Sequence, residues 1–121
     1  MLARKIHYGL IALFLITALS ACAMGDPKLA WDQMSSNDQT ILLDVRSQGE
    51  YDEGHLEGAV LIPVGELKER VGELGDNKDT PIVVYCKKGI RAARAQGILE
   101  DNGFTNVVNG GSYEDLLALM K

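Results

Sequence analysis

The sequence predicts an α/β domain built on a parallel sheet, and two observations lead there. Ile41-Leu42-Leu43-Asp44-Val45 and Ile82-Val83-Val84-Tyr85 are near-continuous apolar runs, the pattern of strands covered on both faces. Around them strand-like and helix-like segments alternate, which places the strands side by side with crossover helices between them. Ligands of such sheets bind beyond the carboxyl ends of the strands. The second run ends at a cysteine, Cys86.

Residues 1–21 read as an export signal. Arg4 and Lys5 form a positive start, Gly9 to Leu19 is an apolar run short for a membrane span, and Leu19-Ser20-Ala21-Cys22 follows. Leu-Ser-Ala-Cys is similar to the lipobox of bacterial lipoproteins, which implies that Cys22 is lipidated and becomes the first mature residue. An ordinary secretory signal cleaved near Ala21 or Ala23 is the alternative. Met24, two positions after Cys22, resembles an outer-membrane sorting pattern. The expected location is therefore the periplasmic side of the envelope, on a lipid anchor, with a soluble periplasmic protein as the other case. Residues 22–27 form a tether, and 28–121 one domain.

Asp26-Pro27 has the form of an N-cap followed by Pro at N1, for a brief helix through Trp31 and Met34 that Ser35-Ser36-Asn37-Asp38 ends. Ser47-Gln48-Gly49-Glu50 fits a capping box, opening a short helix to Glu53 after the first strand. Gly54 to Gly58 is a loop, Ala59 to Ile62 a second strand, and Pro63 a stop before a helix over Val64 to Leu74. Gly75 to Thr80 is turn-like. After the strand ending at Cys86, Ile90 to Asp101 reads as helix with Ala92, Ala93, Ala95, Ile98 and Leu99 on its apolar face, stopped by Asn102-Gly103. Thr105 to Val108 is a fourth strand, and after Gly110-Gly111, Ser112 caps a last helix carrying Leu116, Leu117 and Met120. No internal repeat, low-complexity tract or second domain is evident.

Setting aside Arg4 and Lys5 of the 12 basic residues leaves 10 against 17 acidic, a net of −7 for the mature part. Such a surface repels nucleic acid. Against that background Lys87, Lys88 and Arg91, clustered around Gly89 and Ile90, are informative. A strand that ends in a cysteine and passes at once into a helix aims the thiol at unpaired N–H groups and at the positive end of the helix dipole. With three cations beside it, the thiol should ionise more readily than a free cysteine and attract a small anion. A core-filling cysteine would not call for such neighbours.

His7 and His55 offer no metal-ligand spacing with Cys86, and position 89 is glycine, so neither a metal site nor a thioredoxin-like dithiol is expected. His55 as the base of a Cys-His hydrolase is compatible with the sequence, although three cations suit an anion better than a peptide. Phosphate-ester hydrolysis and sulfur transfer remain. A phosphatase loop of the form Cys-x5-Arg would need arginine at position 92, which is Ala92; Arg91 makes Cys-x4-Arg, a loop suited to a smaller group.

Cys86-Lys87-Lys88-Gly89-Ile90-Arg91 resembles the six-residue active-site loop of the rhodanese family. Leu43-Asp44-Val45-Arg46-Ser47 with Glu50-Tyr51, then Gly54-His55-Leu56-Glu57-Gly58-Ala59, is similar to that family's second signature, and Gly103-Phe104, Val107-Val108 and Gly110-Gly111 to its closing stretch. Together the three cover about residues 28 to 120 in order. The resemblance implies a doubly wound α/β domain, its central parallel sheet flanked by helices on both faces. It also implies a sulfurtransferase, a thiosulfate sulfurtransferase by the basic loop, working through a persulfide on Cys86. Lys87, Lys88, Gly89, Ile90 and Arg91 would then bind a small anionic sulfur donor, and cyanide or a thiol would be the acceptor. A persulfide carrier that never turns over free donor is the alternative. No cofactor or metal is required, and a monomer is expected.

Asp44, Arg46, Glu50 and His55 are read as structural residues near the site. Arg46 and Glu50 are spaced as an ion pair or fold-locking network, and His55 fixes a loop. Two departures from the family pattern are plain. No tryptophan follows Gly110-Gly111, and Arg91 stands where the best-known thiosulfate-using loops carry a hydroxyl residue.

Overall fold

A computed structural model describes residues 25–121. The signal 1–21 and Cys22 lie outside the described residues. The elements are α1 (Pro27–Ser36), β1 (Ile41–Asp44), α2 (Gln48–Glu53), β2 (Val60–Leu61), α3 (Leu67–Arg70), β3 (Ile82–Cys86), α4 (Ile90–Asp101), β4 (Val107–Ser112) and α5 (Tyr113–Leu119). All four strands are parallel, in the order β2-β1-β3-β4. Starting in the middle of a sheet and winding outward both ways gives a doubly wound fold with a switch point between β1 and β3.

The two-sided burial expected of β3 is complete: all five of its residues are buried. Successive side chains point to opposite faces, and they divide accordingly. Ile82, Val84 and Cys86 join Leu43, Leu67, Ala92, Ala95 and Leu99 in one core layer under α3 and α4. Val83 and Tyr85 join Leu42, Ala30 and Leu116 in the other, under α1 and α5. Gly110 lets that second layer close, since a Cβ there would lie 3.0 Å from Leu116 and 3.1 Å from Val83.

The structure corrects the sequence reading of the elements in several places, and the second strand is shorter than expected, Val60–Leu61 rather than Ala59 to Ile62. Val64 to Leu74 is not one helix but a 3₁₀ turn (Val64–Glu66), the single turn α3 and a second 3₁₀ turn (Val71–Leu74). Gly65 and Gly72 lower helix propensity at both ends of the segment, so the chain keeps only the bends that seat Leu67 and Leu74 in the core. The fourth strand begins later and runs through Gly110-Gly111 to Ser112, bending where the register shifts between Val84 and Cys86. Ala93 faces solvent rather than the core. At the N-terminal end, Asp26 accepts a hydrogen bond from Leu29 N–H at 3.0 Å as the N-cap of α1, and its own N–H donates to Asn109 C=O at 2.8 Å.

Candidate active site

Cys86 closes β3 and the chain turns directly into α4. The turn is made by Gly89, the N-cap of α4, at a φ of 96°, in the left-handed region that glycine enters without a Cβ penalty. This brings two N–H groups onto the sulfur: Gly89 N donates to Cys86 Sγ at 3.0 Å and Ala92 N at 3.4 Å. Both belong to the unpaired first turn of a helix, so negative charge on the sulfur meets donors and the positive end of the helix dipole. Among the described residues no side chain hydrogen-bonds to Sγ. Cys86 is 1% exposed, whereas Lys87, Lys88 and Ile90 of the same loop face solvent.

Asn109 braces the loop from β4. Its side-chain amide donates to Gly89 C=O at 3.1 Å while its side-chain oxygen accepts from Gly111 N–H at 2.9 Å. Sequence reasoning passed over this residue. A polar side chain in a strand leading into Gly-Gly was the available signal.

Arg46 and Glu50 do not pair with each other, so of the expected ion pair or fold-locking network the direct pair is corrected, and each residue is held by other partners. Ser47 is the N-cap of α2, so Arg46 stands outside the helix and the one-turn spacing has no helical meaning. Arg46 instead binds Asp44, two residues back, through Nε at 3.0 Å and Nη2 at 2.8 Å. Asp44 is fully buried and also accepts from Tyr85 OH at 2.8 Å. The remaining reach of Arg46 is used by Gly54 C=O at 2.7 Å and the Tyr113 ring, 4.5 Å away. Burial opposes the Arg46 charge, but Asp44's hydrogen bonds and field more than offset it, and the pKa lies above the ordinary arginine value. Burial, then the Asp44 hydrogen bond and charge, push Tyr85 well above the usual phenol range. A lone aspartate at the end of an apolar strand was the signal for this network, and its tyrosine partner was not foreseen.

Glu50 turns the other way, to the sulfur loop. It sits at N3 of α2, where the capping box with Ser47 is complete. Its carboxylate accepts from Arg91 Nη1 at 2.7 Å and Nη2 at 3.0 Å. The Arg91 hydrogen bonds, with those of Ser47, hold Glu50 down at about pKa 2. Arg91 in turn is raised, first by Glu50 and to a smaller extent by the fields of Cys86 and Asp44. Arg91, expected from the sequence among the donor ligands, has its guanidinium engaged by Glu50.

His55 is tied into its own loop, with Nδ1 2.9 Å from Tyr51 C=O and its ring stacked on Tyr51 at 3.6 Å. Tyr51 OH donates to Ala59 C=O at 2.9 Å. An open cleft of about 220 Å³ lies beside the sulfur loop, lined by Arg46, Glu50, Glu53, Gly54, Lys87, Tyr113 and Glu114. No group of three metal-ligating side chains occurs among the described residues.

A family model described as a rhodanese-like domain matches residues 26–117. The chain belongs to the rhodanese-like domain family. It is 36% identical over 74 residues to the thiosulfate sulfurtransferase PspE of Escherichia coli, covering 61% of this chain and 71% of that protein. It is 43% identical over 89 residues to a tRNA uridine(34) hydroxylase of Photorhabdus laumondii, covering 69% of this chain but 25% of that protein, so it spans about a quarter of that relative. A solved structure described as a rhodanese with anions from Escherichia coli superposes with a TM-score of 0.60 at 36% identity, over 63% of this chain and 89% of that one. The human single-domain sulfurtransferase TSTD1 shares the fold, with a TM-score of 0.64 at 24% identity over 78% of this chain and 97% of that one. The rhodanese-like domain thus carries Cys86 at the switch point of its parallel sheet.

Proposed function

We propose that this rhodanese-like domain is a thiosulfate sulfurtransferase that works through a persulfide on Cys86. The observation that carries the reading is the pair of N–H groups, from Gly89 and Ala92, aimed at a sulfur at the base of a six-residue loop. Such donors support a sulfur anion before and after transfer.

In the first step the Cys86 thiolate attacks the outer sulfur of thiosulfate. The new S–S bond forms as the bond to the sulfonate sulfur breaks, and the electron pair leaves with sulfite. The persulfide carries the negative charge that the thiolate had. The N–H groups of Ile90 and Arg91, in the first turn of α4, have no helical carbonyl to bind and suit this anion. In the second step cyanide or a thiolate takes the terminal sulfur, and Cys86 returns as thiolate. Because Cys86 is 1% exposed, a donor reaches it through its terminal sulfur, with the rest of the donor left at the mouth of the loop. The solvent-facing Lys87 and Lys88 attract the donor and steady the departing sulfite.

Leu19-Ser20-Ala21-Cys22 supports placing this activity outside the cytoplasm on a lipid anchor at Cys22. Cys22→Ser should then abolish lipid attachment, and continued membrane retention with normal processing would count against the anchor. For the chemistry, thiosulfate and cyanide are supplied and thiocyanate and sulfite measured. Turnover lost in Cys86→Ser supports the enzyme. No turnover, with sulfur accepted on Cys86 only from a protein persulfide, would instead support a carrier.

A further inference from the structure

We propose that Glu50 sets the donor specificity of the site by clamping Arg91 and cancelling its charge beside Cys86, which shifts preference from dianionic toward monoanionic or neutral sulfur donors. The inference rests on the sulfur-transfer reading of Cys86. The loop carries three cations, and a dianion would be expected to profit from all of them. The geometry withdraws one: both terminal nitrogens of Arg91 are spent on the two oxygens of Glu50, at 2.7 and 3.0 Å.

The clamp is built from both sides. Arg91 occupies the first turn of α4, where a cation opposes the helix dipole, and a carboxylate opposite relieves that conflict. Glu50 occupies the first turn of α2, where a carboxylate is favoured, and Ser47 holds it through Oγ at 3.0 Å and N–H at 3.2 Å. Two helix N-termini therefore face each other across one ion pair. Glu50 also lines the cleft beside the loop, so its charge acts where a donor approaches.

The same cleft gives a dianion little else. Arg46 is neutralised by Asp44 at 2.8 Å. Lys87 is the remaining cation of the lining, against Glu53 and Glu114. With Glu50 in place, the loop keeps Lys87 and Lys88 but not Arg91 for a dianion, so its advantage for thiosulfate over a donor of lower charge, such as an organic thiosulfonate or persulfide, is reduced.

The test uses the full chain and Glu50→Gln, which keeps an oxygen acceptor for Ser47 and removes the charge. Alkylation of Cys86 by iodoacetate, an anion, and by iodoacetamide, which is neutral, is followed by mass spectrometry of the Cys86 peptide. The ratio of the two rates should rise about threefold to tenfold in Glu50→Gln at low salt, as expected for deleting one charge near the approach path. Arg91→Gln should lower the ratio, and Glu50→Gln with Arg91→Gln should return it to the wild-type value. A residue that only positions the loop would change both rates alike, and an unchanged ratio overturns the proposal.

In turnover, KM for thiosulfate should fall more in Glu50→Gln than KM for benzenethiosulfonate, a monoanion. Equal factors for the two donors would overturn the specificity claim. The alkylation ratio needs no turnover. A wild-type protein inert to thiosulfate whose ratio still rises in Glu50→Gln would sink the thiosulfate reading and leave the charge clamp standing.

Discussion

Gly89 directs its backbone N–H at the sulfur of Cys86 across 3.0 Å, and it does so from a φ of 96°. The turn geometry and the sulfur site are therefore one feature. A Cβ at this position meets a left-handed backbone that costs an L-residue about 1 to 2 kcal/mol.

Gly89→Ala is accordingly expected to lower stability by about that amount, and to misaim the N–H as the turn relaxes. Loss of one aligned donor should reduce kcat by about tenfold or more. Steady-state sulfur transfer together with urea unfolding checks both. Unchanged kcat in a folded variant would remove the donor role of Gly89.

Arg46→Ala would leave Asp44, which is fully buried, without its bidentate partner. Removing one member of a buried pair typically costs about 3 to 5 kcal/mol. Thermal unfolding should show a large drop in Tm. A small one would mean that Tyr85 OH, 2.8 Å from Asp44, suffices to hold that carboxylate.

Glu50 gives the acid dependence. Its pKa is held at about 2, below the ordinary glutamate value of 4.5, because Arg91 and Ser47 bind the charged form. The unfolded chain takes the proton first, so this stabilisation is complete above about pH 5 and is lost as pH falls toward 2. The pair is partly exposed, and its contribution is on the order of 1 kcal/mol. Glu50→Gln should flatten the stability curve between pH 5 and pH 2 in denaturant titrations, and parallel curves for the two proteins would contradict the assignment.

Lys87 and Lys88 are exposed and make no ion pair among the described residues. The double variant Lys87→Ala with Lys88→Ala should raise KM for thiosulfate several-fold at low salt, with little change in kcat. The difference should shrink as ionic strength approaches 0.15 M, where the screening length is about 8 Å. An unchanged KM would assign them no part in attracting the donor.

The parts of the fold that depend on continuous burial were legible in the sequence. Ile41 to Asp44 and Ile82 to Cys86 announced themselves as central strands because neither face is wet, and the Ser47 capping box and Asp26-Pro27 marked helix starts through local chemistry. What was hidden depends on partners far along the chain. Glu50 and Arg91 lie 41 residues apart, as do Asp44 and Tyr85, and meet only because β1 and β3 are neighbours in the sheet. The short-range rule that linked Arg46 to Glu50 failed because the helix begins between them. Val64 to Leu74 broke into turns because its glycines outweighed a helical pattern of apolar residues. The cysteine loop itself was readable, since strand end, glycine and helix start are adjacent; the engagement of Arg91 was not.

Sulfur transfer through Cys86 requires that this residue itself carry the sulfur between donor and acceptor. The decisive measurement is peptide mass spectrometry, without reductant, of the protein incubated with thiosulfate. The expected result is one added sulfur atom on the Cys86 peptide, with an equivalent of sulfite released, and discharge of that sulfur as thiocyanate when cyanide is added. Sulfite release with no sulfur on Cys86, or undiminished thiocyanate formation by Cys86→Ser, would contradict it.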